Sequence, residues 1–112
     1  MIQIDEITPN FSTGPQIALD DLETIKALGF TDVICNRPDA ELGIPPLSSD
    51  FEARAKELGL GFQYLPIATG EDFEAAALGL QKLLAEGENR KVFSYCLSGK
   101  RSQMAYGLIA EG

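Results

Sequence analysis

The chain contains no histidine. That absence removes Cys-His and Ser-His catalysis, HExxH zinc chemistry and most transition-metal sites together. Whatever activates a nucleophile here is not an imidazole. Cysteine is scarce too. Cys35 and Cys96 are too few for a disulfide scaffold, fit a reducing compartment, and as two separated residues do not make a ligand set, so no metal and no cofactor is expected. Basic residues are outnumbered, 9 Lys and Arg against 17 Asp and Glu, for a net charge of -8. Nucleic acid and anionic membrane are thereby disfavoured as partners, because both are bound chiefly through Lys and Arg. An anionic ligand must be caught by a local positive spot. No apolar run approaches the roughly 20 residues needed to span a bilayer. The start, Met-Ile-Gln-Ile-Asp-Glu, has neither a basic segment nor a hydrophobic signal core, so a cytoplasmic location is expected.

What remains is a chain of 112 residues, 45% hydrophobic, which suits one packed core and a single domain over residues 1–112. The opening, Ile2 to Phe11, alternates weakly and predicts a short strand or two near a sheet edge, and Ser12-Thr13-Gly14-Pro15 reads as a turn. Asp20 or Asp21 can cap a helix with Leu22, Ile25 and Leu28 at helical spacing, stopped by Gly29. Thr31 to Cys35 is a short β-type run, followed by the loop Asn36-Arg37-Pro38-Asp39. A second capped helix runs from Ser48 or Ser49 to Gly59, a strand from Gly61 to Leu65, and a loop from Pro66 to Gly70. Asp72 to about Glu86 is the longest amphipathic helix. Val92 to Tyr95 is a strand, Cys96 to Lys100 a tight loop, and Ser102 to Ala110 a last helix. This alternation predicts an α/β fold with a mainly parallel central sheet flanked by helices. In such sheets ligands bind beyond the carboxyl ends of the strands, so the loops at Asn36–Glu41, Pro66–Asp72 and Cys96–Arg101 should converge on one cleft.

The last of these loops carries the chemistry. A thiol at a strand end, followed by a glycine-containing turn into a helix, meets inward-pointing amides and the positive end of the helix dipole. That setting lowers a thiol pKa and cradles an oxyanion. Cys96 is thus the expected nucleophile, with Leu97, Ser98, Gly99, Lys100, Arg101 and Ser102 as the anion-binding loop. Arg101 offers a fixed fork that the point charge of Lys100 lacks. Ser102 can give its hydroxyl to the sulfur.

Several segments together, Ile7-Thr8-Pro9-Asn10-Phe11-Ser12, Gln16, Asn36-Arg37-Pro38-Asp39 with Glu41, and Cys96-Leu97-Ser98-Gly99-Lys100-Arg101-Ser102, resemble a family of small bacterial proteins. This is the β-lactamase-hydrolase-like, phosphatase-like domain (DUF442). The resemblance covers essentially the whole chain and implies a compact protein tyrosine phosphatase-like fold related to the dual-specificity phosphatases. It implies Cys96 as nucleophile, Arg101 as oxyanion clamp and Ser102 as thiolate stabiliser, acting on an anionic small molecule or a phosphorylated substrate. In relatives, similar domains occur fused to or associated with a persulfide dioxygenase.

Two departures bear on the reaction. Tyrosine phosphatases place five residues between Cys and Arg, whereas this chain has four, and Tyr95 stands where they carry histidine. One residue fewer removes about 3.5 Å of chain and narrows the cradle. The resulting six-residue loop is similar to that of rhodanese sulfurtransferases. Phosphomonoester cleavage through a phosphocysteine needs an acid for the leaving group. Asp39 is the preferred acid, with Glu71 and Asp72 standing where related phosphatases keep theirs. Asp39 reads equally as a turn residue after proline, and Asp72 better as a cap of the long helix. Sulfur transfer through a Cys96 persulfide needs no acid, and a non-catalytic oxyanion-binding module is the third reading. Arg37 can assist anion capture or simply pair with Asp39 or Glu41. Cys35, on the strand expected beside that of Cys96, can form a reversible disulfide with it or be a small buried apolar residue.

Overall fold

The computed structural model describes residues 2–87 and 89–111. Its centre is the pair β3 (Asp32–Cys35) and β5 (Val92–Tyr95), whose residues are all buried, as expected of parallel strands covered on both faces. Side chains alternate along them with period two. Val33, Cys35, Phe93 and Tyr95 pack against Leu22 and Ile25 of α1 (Asp21–Ala27) and Phe51 and Ala55 of α3 (Ser48–Leu58). Ile34 and Val92 face the other way. They meet Leu80 and Leu83 of α4 (Asp72–Leu84), with Tyr106 and Ile109 of α5 (Lys100–Glu111) at the margin.

The sheet has five strands in the order β1-β2-β5-β3-β4, with β1 (Asp5–Thr8) the one antiparallel member among the described residues and β4 (Gly61–Tyr64) at the far edge. The α/β architecture with a mainly parallel sheet is therefore as the strand-helix alternation predicts. No helix among the described residues is long and apolar enough to cross a membrane.

One expectation is corrected. Ser12, Thr13 and Gly14 are not a turn but the body of β2 (Phe11–Gly14), a fully buried internal strand paired parallel with β5. Its small residues look like turn chemistry, yet small is what this place requires. A Cβ at Gly14 would stand 2.6 Å from the Gln3 carbonyl and 2.8 Å from the Phe93 ring, distances real side chains do not adopt. Two boundaries also differ. Asp39–Leu42 forms a short helix, α2, inside the expected loop, and α5 begins at Lys100, which brings Arg101 into its first turn.

The register places Gly14, Tyr95, Cys35 and Tyr64 in one row across β2, β5, β3 and β4. Their successors, Pro15, Cys96, Asn36 and Leu65, form the rim where the parallel strands all end. This is how the fold brings the three candidate loops together.

Candidate active site

Cys96 is buried at the end of β5, and the chain turns around its sulfur. The Gly99 amide donates to Sγ at 3.0 Å, made accessible by a left-handed Gly99 with φ 93°. A side chain there would also press on the Gly14 backbone, 3.3 Å from its carbonyl carbon and oxygen. The loop is pinned to β2 and to the segment after it: the Cys96 amide donates to the Gly14 carbonyl, the Gln16 amide to the Leu97 carbonyl, and Gln103 Nε2 to Thr13 Oγ1. Burial alone would push the thiol up. The amides of Ser102, Gly99 and Arg101, joined by the Ser102 hydroxyl, outweigh it and hold Cys96 below an ordinary cysteine. Within the predicted cradle Ser98 spends its hydroxyl oxygen on the Lys100 amide, and the Leu97 side chain points to solvent.

Arg101 is held on two sides. Glu41 of α2 takes Nη1 at 2.7 Å and Nη2 at 2.9 Å, and the Ile67 carbonyl takes the second Nη1 proton at 2.7 Å. A guanidinium has five N–H donors, so these three bonds leave Nε–H and one Nη2–H uncommitted to Glu41 and Ile67, on a side chain that also meets the Cys96 sulfur. Those two form the side-on fork that suits an oxyanion. Glu41 therefore orients the clamp without filling it. Its own carboxyl lies below the usual range because of Arg101, and the guanidinium is correspondingly held above its ordinary value by Glu41 and, more weakly, by Cys96. Arg37 joins the same carboxylate, Nε to Oε1 at 3.5 Å, and donates through Nη1 to Gln16 Oε1 at 3.2 Å. The three loops thus converge as expected.

Ser102, in the first turn of α5, is fully buried and donates its hydroxyl proton to Asn36 Oδ1 at 2.8 Å. Asn36 in turn donates from Nδ2 to the Leu65 carbonyl at 2.8 Å, and its own carbonyl accepts the Ile67 amide at 2.9 Å. Asn36 and Glu41 both stand in the motif around Asp39; the sequence offers Glu41 only Arg37 as a partner, a pair the structure forms, and offers Asn36 none. What could have singled out Asn36 is its place as the polar residue ending a buried strand beside that of Cys96.

The acid candidates fare differently. The Asp39 carboxylate accepts both the Ser48 amide at 2.8 Å and the Ser48 hydroxyl at 2.7 Å, tying α2 to the start of α3. Asp72 accepts the amides of Thr69 and Ala68, which hold it below the ordinary carboxylate range, so it closes the 68–72 loop as an anion. Glu71 lies exposed at the head of α4. Cys35 is a free thiol on the α1–α3 side of the sheet; it donates to the Arg37 carbonyl, and burial pushes its pKa up.

The family model of the beta-lactamase hydrolase-like protein, phosphatase-like domain, matches residues 3–111. The chain belongs to that family. Among curated members, this phosphatase-like domain is 31% identical to a beta-lactamase hydrolase-like protein of Agrobacterium fabrum over 102 residues, 91% of this chain and 23% of that protein. It spans about a quarter of the length of the curated relatives it matches. Among solved structures it superposes on a phosphatase-like protein of Neisseria meningitidis with a TM-score of 0.78 at 27% identity, covering 96% of this chain and 75% of that one. The kinase associated phosphatase matches with a TM-score of 0.64 at 17% identity, covering 88% and 66%, and shows the tyrosine phosphatase-like fold shared with this domain.

Proposed function

We propose that this domain is a cysteine-dependent phosphatase acting through a phosphocysteine at Cys96. The observation that carries the reading is the thiolate setting: a buried sulfur held below its ordinary pKa by loop amides, with the Glu41-oriented Arg101 beside it. In the first step Cys96 Sγ attacks phosphorus, an S–P bond forms, and the P–O ester bond breaks with its electron pair leaving on the oxygen. In the second, water attacks phosphorus, loses its proton to solvent, and the S–P bond breaks to return the thiolate. Arg101 and the loop amides hold the non-bridging oxygens through both steps. Both oxygens of the Asp39 carboxylate are engaged by Ser48, so the site is best matched to leaving groups that need little help, such as p-nitrophenoxide.

A second reading, sulfur transfer through a Cys96 persulfide, is favoured by two observations. Of the acid candidates, Asp39 and Asp72 are engaged elsewhere and Glu71 lies exposed at the head of α4, and the loop has the shorter Cys-to-Arg spacing. Two assays on the protein and its Cys96→Ser variant separate them: p-nitrophenyl phosphate hydrolysis, and thiocyanate formation from thiosulfate and cyanide. Nitrophenol release that requires Cys96, without thiocyanate, supports the phosphatase; the reverse supports the sulfurtransferase. If both assays are silent while Cys96→Ser still binds phosphate, the domain is an oxyanion-binding module.

A further inference from the structure

Asn36 is 3% exposed, and its partners fix the orientation of its amide. Nδ2 must face the Leu65 carbonyl, because a carbonyl oxygen only accepts, and Oδ1 then faces Ser102. Oδ1 has no proton to give, so the Ser102 hydroxyl is the donor across that 2.8 Å contact. Ser102 stands in the first turn of α5, directly after the loop that turns around the Cys96 sulfur, and its hydroxyl is one of the groups that hold that thiol down. It carries one proton and cannot donate to both. While it donates to Asn36 it offers the sulfur only lone pairs, which suits a neutral sulfur. To donate to a thiolate it must turn away from Asn36 and leave a buried Oδ1 unpartnered, which is costly.

We propose that Asn36 is a positioning residue which competes with Cys96 for the single proton of Ser102, so that Ser102 donates to the sulfur only while the sulfur carries charge. No bond to hydrogen breaks in this cycle; the O–H group rotates. As the S–P bond forms, the sulfur loses its charge and the proton returns to Asn36; as the S–P bond breaks, the hydroxyl swings back to the departing thiolate. The proposal deepens the phosphatase reading and rests on it for the role of Cys96.

The test is a double-mutant cycle on Asn36→Ala and Ser102→Ala, read as the pH titration of the Cys96 thiolate by its ultraviolet absorbance. Each protein is measured against its Cys96→Ser counterpart, which subtracts Cys35 and the tyrosines. Arg101, the charged side chain facing the sulfur, is common to every protein in the cycle. Asn36→Ala is expected to lower the Cys96 midpoint by about half a unit to one unit, since it frees a donor for the charged form. In the Ser102→Ala background that shift disappears. An upward shift, no shift, or the same shift in both backgrounds overturns the proposal, because a merely structural role for Asn36 does not depend on the Ser102 proton. If Asn36→Ala does not fold, Asn36→Leu fills the space without an acceptor and carries the same expectations. No substrate enters the titration, so a protein without phosphatase turnover still reports the cycle, and the two readings fail separately.

Discussion

In Glu41→Gln the side chain keeps its length and one acceptor but loses its charge and the second arm of its grip on Arg101. The arms measure 2.7 and 2.9 Å, and the two side chains are 34% and 23% exposed. A hydrogen bond to a charged group contributes about 1.5–3 kcal/mol when buried, and solvent screening at this exposure brings the pair nearer to 1 kcal/mol. The loss therefore leaves Arg101 held mainly by the Ile67 carbonyl and free to sample orientations in which its Nε–Nη2 edge misses the cradle. About 1.4 kcal/mol of lost transition-state stabilisation is tenfold in rate. Removing the negative charge acts in the opposite sense on binding, since an anionic substrate then meets two guanidinium groups, Arg101 and Arg37, without their counter-ion. We expect kcat for p-nitrophenyl phosphate to fall about tenfold while KM stays level or decreases, in steady-state kinetics at fixed ionic strength. An unchanged kcat with a raised KM would refute the orienting role of Glu41 and make it a binding group.

Three further outcomes follow from the geometry. Gly99→Ala forces a left-handed conformation on a residue with a Cβ and presses it on Gly14, so thermal unfolding should drop by roughly 4–8 °C per kcal/mol of a cost of about 1–2 kcal/mol, with activity lost; an unchanged Tm contradicts the loop geometry. Asp39→Asn retains one of the two bonds to Ser48, so denaturant titration should show a loss of about 1 kcal/mol while kcat for p-nitrophenyl phosphate stays within about twofold; a tenfold drop would make Asp39 the acid after all. Because the native Cys96 pKa lies below the ordinary thiol value, the thiolate is lost as pH falls through the native value. Activity should rise with pH through that depressed value and level off before about pH 8.5, and the stability difference between the protein and Cys96→Ser should grow from the native value up to the ordinary one. A profile with its midpoint at the ordinary thiol value contradicts the cradle.

Much of this was legible in the residues. The loop from Cys96 to Ser102 announces itself because a strand, a thiol, a glycine and a helix-starting arginine occur in order, and parallel topology then dictates which loops meet it. The turn assigned to Ser12–Gly14 fails because local propensity sees small polar residues, while the determinant is non-local: crowding by the Phe93 ring and pairing with β5. Asp39 reads equally as acid and as turn residue, and only the placement of Ser48, nine positions on, shows where its carboxylate is spent. The pairing of Arg37 with Glu41 is readable at four residues' spacing, but the roles of Asn36 and of Glu41 toward Ser102 and Arg101 are not, for the same reason as Ser48. Their partners, Ser102 and Arg101, are sixty or more residues away, and no periodicity encodes a contact at that separation.

The most direct test of the central claim is to trap the covalent intermediate. The protein is mixed with p-nitrophenyl phosphate, quenched in acid within the first turnovers, digested and mapped by mass spectrometry. A phosphoryl group is expected on the sulfur of Cys96, absent from the Cys96→Ser protein along with turnover. Hydrolysis that continues in Cys96→Ser, or a phosphoryl group found on another residue, would contradict it.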